Sequence, residues 1–169
     1  MITPEKVKLF IGMLSSNVEL FNTVQSELIP CFGSIDLKSP VWTWNYTSYY
    51  EKELGKNILR QFIFFESLIY PSELSTIKNK TVLIEKKFAD QNGNRTINLD
   101  PGYLTRAKVV LASTKDFSHR IYLQDGIYGE VTLSYIKGNY LIYPYTYPDY
   151  SSNEYLDLFK KARQLINHN

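Results

Sequence analysis

Two apolar runs flank an amphipathic helix in the N-terminal part of the chain. Residues 7–14 are mostly apolar and predict a buried strand, and residues 58–69 form a longer run that we expect to be a central strand. Between them, Ser16 begins a capping-box pattern, and apolar residues then recur at helical spacing until Gly33. The aromatic stretch 39–50 is expected to be extended. The pattern therefore predicts a strand, a helix and two further strands.

The middle of the chain predicts a second helix followed by shorter elements. Residues 71–88 have helical periodicity, with a proline at the first position. Residues 96–99 resemble a short strand, which Pro101 and Gly102 are expected to end. Residues 105–113 fit a helix or a strand, because periodicity does not separate the two in a short apolar run.

The C-terminal part contains the clearest local signal, a hairpin turn. The Asp-Gly pair at 125–126 lies between alternating residues, which is the strongest short-range mark of a two-residue hairpin loop. The Gly-Asn pair at 138–139 suits a second tight turn, so residues 121–143 are expected to form a three-stranded meander. Residues 153–166 have the periodicity of an amphipathic helix that closes the domain.

These elements predict an α+β fold in a single domain, residues 1–169. The order strand, helix, two strands, helix, strand is that of a split βαβ, ferredoxin-like core. The sheet is expected to be mainly antiparallel, with the meander extending it and the last helix closing it. No internal repeat or linker interrupts the chain.

Composition narrows the protein class. The chain has 169 residues, of which 44% are hydrophobic and 21% charged, and its net charge of +2 does not by itself indicate nucleic-acid binding. Cys31 is the one cysteine, so neither an intrachain disulfide nor a cysteine-based zinc site is predicted. Signal-peptide and membrane-span patterns are lacking, so we expect a cytoplasmic protein with no membrane partner. Neither a cofactor nor an oligomeric state is indicated.

A compact polar run at 114–120 is the leading candidate for chemistry. It combines His119 with the carboxylate of Asp116 and the cations Lys115 and Arg120. An imidazole exchanges protons near neutral pH while cations hold an anion, so this mixture favours a catalytic or binding site. The same residues also fit a simpler interpretation, in which the histidine is structural and its neighbours form a solvated turn.

The hairpin register places the histidine near a carboxylate. If the loop is at 125–126, His119 lies opposite Thr132, with Glu130 diagonally across on the same sheet face at about 7–8 Å. A carboxylate there can orient the imidazole for proton transfer. We therefore predict His119, Glu130 and Asp116 as catalytic residues, with Glu130 or Asp116 orienting the ring.

The candidate ligand-binding residues are Asp100, Tyr103, Lys115, Arg120 and Tyr122. Asp100 belongs to a turn-like sequence at 99–103, and turn chemistry also explains it. Lys115 and Arg120 are expected to hold an anionic group, either phosphate or carboxylate.

The same hairpin register places Arg120 and Tyr122 away from His119. It turns Arg120 to the opposite sheet face, toward Val131, which weakens its share in binding the anion. It also places Tyr122 opposite Gly129, where the missing side chain leaves room for an aromatic ring or a ligand.

The leading hypothesis is thus a small-molecule binding protein or enzyme that uses a His/Glu/Asp site and an anionic ligand. The alternative is a module that binds RNA or a protein through the rings of Trp42, Trp44 and Tyr46, which would share one face of a strand. Aromatics at that spacing also suit a core. The signatures of P-loop, dinucleotide, serine-hydrolase and zinc-protease sites are absent, and no metal is predicted.

Several stretches together resemble a prokaryotic family, domain of unknown function 4416. The matching stretches are residues 8–12, Ser39-Pro40 with Trp42, Tyr49-Tyr50-Glu51, 98–104, 114–123, 126–128, 130–133 and 147–150. The resemblance implies a cytoplasmic bacterial or archaeal protein without an established activity. Some members carry a provisional GTP-binding label, whereas this chain lacks a P-loop. It also has Asn45 and Leu54 where such proteins often have aspartate and methionine.

Overall fold

The computed structural model describes residues 1–166, so His168 lies outside the described residues. They form an α+β domain with four α-helices and one nine-stranded sheet. The elements are β1 (Val7–Ser15), α1 (Val18–Phe32), β2 (Ile35–Lys38), β3 (Trp42–Thr43), α2 (Glu51–Leu54), β4 (Leu59–Ile69), α3 (Leu74–Lys87), β5 (Asn98–Leu104), β6 (Lys108–Ser113), β7 (Ile121–Gln124), β8 (Ile127–Ile136), β9 (Asn139–Ile142) and α4 (Asn153–Gln164).

The sheet has the strand order β2-β4-β1-β5-β6-β8-β7, with β3 paired to β4 and β9 paired to β8. Every strand pair within residues 1–166 is antiparallel. Helix α1 connects β1 to β2, and α3 connects β4 to β5. The predicted α+β class and the mainly antiparallel sheet are therefore confirmed.

Helices cover both faces of the central strands, which explains why β1 is buried along its whole length. Leu9, Ile11 and Met13 pack with α1 and α3, whereas Phe10 packs with α4 on the other face. Alternate residues of a strand point to opposite faces, so a strand covered on both sides needs apolar residues at consecutive positions. The apolar run at 58–69 has the same cause, since Ile63 and Phe65 of β4 pack on the side of α1 and α3, and Phe62 and Phe64 pack on the side of α4.

Strand β5 runs through the position where a break was predicted. Pro101 lies opposite Ile11 within the β1–β5 pair, and Gly102 lies opposite both Phe10 and Leu111. A Cβ atom at Gly102 would overlap the carbonyl oxygen of Val110 and the Phe10 ring. Gly102 is therefore a close-packing position inside a strand, not the start of a turn.

Three smaller expectations also need correction. The cap of α1 is Asn17, whose side chain accepts a hydrogen bond from the amide of Glu19, and not Ser16. The second hairpin turn lies one residue earlier than expected, with the left-handed conformations at Lys137 and Gly138. The stretch 39–50 is mostly irregular, since only Trp42–Thr43 is a strand.

Among residues 1–166, no helix has the length and apolar character needed to cross a membrane.

Candidate functional site

A bulge in the first hairpin rearranges the predicted polar run. Gln124 pairs with Ile127 as the Asp-Gly turn predicts, but the register then shifts by one residue, so that Tyr122 lies opposite Tyr128 and Ile121 opposite Gly129. The predicted pairing of Tyr122 with Gly129 is therefore wrong. A shift of one residue moves the preceding side chains to the other sheet face, which a regular hairpin would not do.

Glu130 is the centre of the resulting cluster. Its Oε2 atom accepts a hydrogen bond from Nε of Arg120 at 3.0 Å and lies 3.1 Å from Nε2 of His119, and its Oε1 accepts from the hydroxyl of Thr132 at 3.0 Å. The Glu130 side chain is 1% exposed, against 22% for His119. The predicted contact between His119 and Glu130 is thus present. The prediction that Arg120 faces the other side of the sheet is wrong.

Aromatic stacking fixes the plane of the His119 ring. The ring lies 4.2 Å from that of Tyr145, with 12° between their planes, and Tyr145 stacks in turn on Tyr143. The Phe117 ring is also stacked with the imidazole, at 5.8 Å between ring centroids. Tyr145 is held by its hydroxyl, which donates to the carbonyl of Val131 at 2.7 Å. The imidazole is therefore positioned by ring stacking as well as by Glu130.

Arg120 is mostly engaged within the protein. Its Nε donates to Glu130, one terminal nitrogen donates to Ser113 and to the carbonyl of Lys115, and the other donates to the hydroxyl of Tyr147 at 2.7 Å. A guanidinium has five N–H donors. Four of these donors are used within the protein, so Arg120 organises Glu130 and Tyr147 and has one donor left for a ligand.

A second buried cluster surrounds Arg60. Its terminal nitrogens donate to Asp100 and Asp149, each at 3.3 Å, and the indole of Trp44 donates to the same Asp149 oxygen at 3.0 Å. Gly12 provides the space, because a Cβ there would lie 2.6 Å from the guanidinium. Burial lowers the pKa of Arg60, but the surrounding tyrosines and carboxylates more than offset this effect and raise it overall.

A cavity of about 460 Å³ lies between the two clusters. Its polar lining comes from two groups of residues, with Asp100 and Asp149 from the Arg60 cluster and Lys115, His119 and Arg120 from the polar run. The aromatic lining is formed by Trp44, Tyr46, Tyr49, Tyr50, Phe117, Tyr145, Tyr147 and Tyr150. The size and the mixture of aromatic walls with few polar groups are typical of a small-molecule site.

The strand connections explain why the cavity opens at this place. Strands β5 and β6 pair only through residues 102–104 of β5, so Asp100 precedes the paired segment. The backbone of Leu99 is instead held by helix α3, with Glu85 accepting from its amide at 2.7 Å and Lys78 donating to its carbonyl at 2.9 Å. Lys78 is consequently buried.

The pKa values of Tyr147 and Tyr150 are raised because these cavity-lining side chains are buried. Burial raises the pKa of Tyr147, and the carboxylates of Glu130 and Asp100 raise it further, whereas the Arg120 guanidinium opposes them. Burial also raises the pKa of Tyr150 well above its usual value. These phenols are neutral hydrogen-bonding groups near neutral pH.

Three predicted residues lie apart from this cavity. Asp116 is exposed and makes no hydrogen bond or ion pair with any residue in the described part of the chain. Tyr103 packs at the edge of the core under α1 and α3, and Tyr122 is an exposed ring packed on Tyr128. The two tyrosines are separated from the cavity by strand alternation and by the register shift.

The sequence reasoning missed Arg60, Asp149 and Tyr147. Arg60 had a detectable signal, since a charged residue inside an apolar run predicts a buried, paired charge. Asp149 and Tyr147 had none, because they follow β9 in a loop whose position depends on the whole sheet. Within residues 1–166, no group of three or more His, Cys, Asp or Glu residues could hold a metal ion.

The aromatic alternative does not fit the observed positions of the rings. Trp44 is only 7% exposed, and Trp42 stacks on Tyr155 at 5.3 Å in the core under α4. Only Tyr46 of the three is exposed. The three rings therefore do not form the open stacking face on which the RNA- or protein-binding alternative depends.

Helix α2, which directly follows the cavity-lining residues Tyr49 and Tyr50, is held in place by an ion pair. Arg95 binds Glu53 of α2 with two hydrogen bonds of 2.8 Å and also donates to Asn98. Hydrogen bonding from Arg95, opposed by partial burial, lowers the pKa of Glu53 in the folded protein. A depressed folded-state pKa means that the ionised form of Glu53 stabilises the fold.

We expect Glu53→Gln to be less stable than wild type at neutral pH and to approach it in acid. The contribution of the pair is present above the unfolded-state pKa of about 4.3 and is lost as the pH falls through the lower folded-state pKa. Urea unfolding of both proteins across this range measures the difference. A deficit that stays constant from neutral to acidic pH would contradict the ion-pair explanation.

Comparison with known proteins identifies the chain only at the level of its family. No curated protein and no solved structure is significantly similar to it. The sequence profile described as Domain of unknown function (DUF4416) matches residues 5–165, and this match covers nearly the whole chain. The predicted resemblance is confirmed, and the chain belongs to the DUF4416 family.

Proposed function

We propose that the cavity binds a small molecule carrying a phosphate or carboxylate group, and that His119 serves as its acid or base. The observation that carries the proposal is the convergence of Lys115, His119 and Asp100 on one aromatic-lined cavity, with Glu130 buried behind the histidine. Ligand binding requires only the cavity, whereas catalysis also requires a proton transfer at His119.

Lys115 is the cation best placed for the anionic group. Its ammonium donates one hydrogen bond, to the hydroxyl of Tyr49 at 3.0 Å, and an ammonium has three donors. The Tyr147 hydroxyl accepts from Arg120, so its own proton is available to a ligand oxygen. Together these groups supply charge and hydrogen-bond donors at one end of the cavity.

The orientation of His119 suits proton transfer at one defined atom. An ionised carboxylate only accepts hydrogen bonds, so Nε2 donates to Glu130 and the lone pair is on Nδ1. Nδ1 makes no hydrogen bond with any residue in 1–166, and His119 lines the cavity. A carboxylate that holds an imidazole in one tautomer supports its action as a general base.

We also infer that β1, β2, β4 and β5, with α1 and α3, form a ferredoxin-like core. The support is the strand order β2-β4-β1-β5, in which each crossing helix joins strands separated by one other strand. The chain then continues the sheet through β6 and the strands that follow. In this arrangement the cavity lies where the core meets the extension, at β5 and β6.

Ligand screening by thermal shift tests the binding proposal. We expect a nucleotide or phosphorylated metabolite that saturates the site to raise the Tm by about 5–10 °C. The shift should be much smaller in Lys115→Met and in His119→Ala. Lys86→Met removes the same charge from an exposed position on α3 and should respond as wild type does. Equal stabilisation of wild type, Lys115→Met and His119→Ala would place the ligand elsewhere.

A further inference from the structure

We propose that the ligand is dipolar, with a primary ammonium group that Asp100 binds at the end of the cavity opposite the anion. This inference rests on the proposed function, since it concerns the second end of a ligand held by Lys115. It identifies the ligand class as a small molecule with an acidic group at one end and an amine at the other.

The charges of the Arg60 cluster support a cationic ligand group. Two carboxylates, Asp100 and Asp149, face one guanidinium, so the cluster has one negative charge in excess. On the other side of the cavity, Arg120 is balanced by Glu130 and Lys115 has no carboxylate partner within residues 1–166. The cavity thus has a negative end and a positive end, which is complementary to a zwitterion.

Asp100 is the carboxylate that a ligand can reach. Its Oδ2 accepts from Arg60 and, at 2.8 Å, from Asn98, whereas Oδ1 has no hydrogen-bond partner among the described residues. The side chain is 27% exposed and lines the cavity. Asp149 is 5% exposed, and both of its oxygens already accept hydrogen bonds. A ligand donor therefore finds one free carboxylate oxygen, on Asp100.

The walls near Asp100 favour an ammonium over a neutral donor. Tyr46 and Tyr50 both lie against Trp44, at 5.9 and 5.6 Å between ring centroids, and all three line the cavity. Aromatic faces attract cations, and the attraction grows where water is excluded. A hydroxyl would leave the excess negative charge unbalanced, and a ligand guanidinium would compete with Arg60 for the same carboxylate.

The electrostatics of Tyr50 agree with a negative environment at this end of the cavity. Burial raises the pKa of Tyr50, and the Asp100 carboxylate raises it more than the Arg60 guanidinium lowers it.

Calorimetric titration with matched probes tests this inference. The probes are aminoalkyl phosphates of graded chain length, with hydroxyalkyl and alkyl phosphates of the same lengths. We expect the best aminoalkyl phosphate to bind about tenfold more tightly than its two analogues. This preference should disappear in Asp100→Asn, whereas Asp116→Asn, the same change on an exposed residue, should keep it.

The outcomes separate this inference from the proposed function. Equal affinity for all three probe types, lost in Lys115→Met, would overturn the ammonium and leave the anion site intact. Equal affinity of the hydroxyalkyl and aminoalkyl phosphates would likewise overturn the ammonium and leave the anion site intact. Failure of every probe to bind would overturn both proposals.

A second variant protects the test against misfolding of Asp100→Asn. Tyr46→Leu removes an exposed ring of the cavity wall and takes no hydrogen-bond partner from Arg60, Asp100 or Asp149 within residues 1–166. It should weaken the aminoalkyl probe more than the alkyl probe. An equal loss for both probes in Tyr46→Leu would contradict the inference.

Discussion

Replacement of Arg60 by leucine is expected to lower the free energy of unfolding by about 3–5 kcal/mol. The guanidinium is 3% exposed and is hydrogen-bonded to the buried carboxylate of Asp149 and to Asp100. Removing one partner of a buried ion pair leaves the other charge without compensation in a region of low polarity. The loss arises from the stranded carboxylate, because a leucine in this position otherwise suits the core.

Urea unfolding of Arg60→Leu measures this effect, and a second substitution tests its cause. Adding Asp149→Asn should recover a large part of the lost stability, since it removes the uncompensated charge. Lys87→Met breaks an exposed ion pair with Glu27 and should cost less than about 1 kcal/mol. An Arg60→Leu protein as stable as Lys87→Met would show that the Arg60 cluster does not support the fold.

Glu130→Gln is expected to cost about 3 kcal/mol of stability. The substitution keeps the size of the side chain but removes the anion that faces Arg120, whose side chain is 5% exposed. It also replaces a carboxylate that only accepts hydrogen bonds by an amide that can donate or accept, so the tautomer of His119 is no longer fixed and ligand binding or turnover that depends on His119 should fall with stability.

A double-mutant cycle with Arg120→Met assigns the cost to the pair. The double variant should be clearly more stable than the sum of the single losses predicts, because no charge is then stranded. Asp116→Asn provides the control, as an acidic residue in the same polar run that makes no ion pair within residues 1–166, and it should show no measurable loss. Strict additivity of Glu130→Gln and Arg120→Met would contradict direct coupling.

The elements that could be predicted are those specified by local pattern. The run at 58–69 is β4, the helical spacing before Gly33 is α1, and the Asp-Gly pair is a hairpin turn. In each case the signal and its cause lie within about one element, either in apolar periodicity or in a backbone conformation that favours glycine.

The failures have long-range causes. Gly102 has the composition of a turn, but its lack of a side chain is required by contact with Val110 and Phe10 across the sheet. The bulge between Tyr122 and Gln124 is not encoded in the turn, and it shifts the register toward a pairing in which Arg120 meets Glu130. A regular register extrapolated from the turn therefore places His119 correctly near Glu130 and misplaces Arg120.

In the candidate site, too, some contacts follow from local sequence and others only from long-range packing. His119 and Glu130 are eleven residues apart on one hairpin, so local geometry brings them within reach of each other. Asp149 and Arg60 are separated by 89 residues, and only the packing of the C-terminal loop on β4 joins them. The sequence therefore identified His119 and Glu130 on one side of the cavity, and on the other side Asp100 without its partner Arg60.

Ring nitrogen NMR of His119 tests the central claim most directly. The His119→Gln variant assigns the signal, because the sequence contains only two histidines. We predict that titration with the phosphorylated compound that most stabilises the protein shifts the Nδ1 resonance of His119 saturably. The same titration should require much higher concentrations in Lys115→Met and be unchanged in Lys86→Met. A ligand that stabilises the protein without moving the His119 resonance would contradict the proposed site.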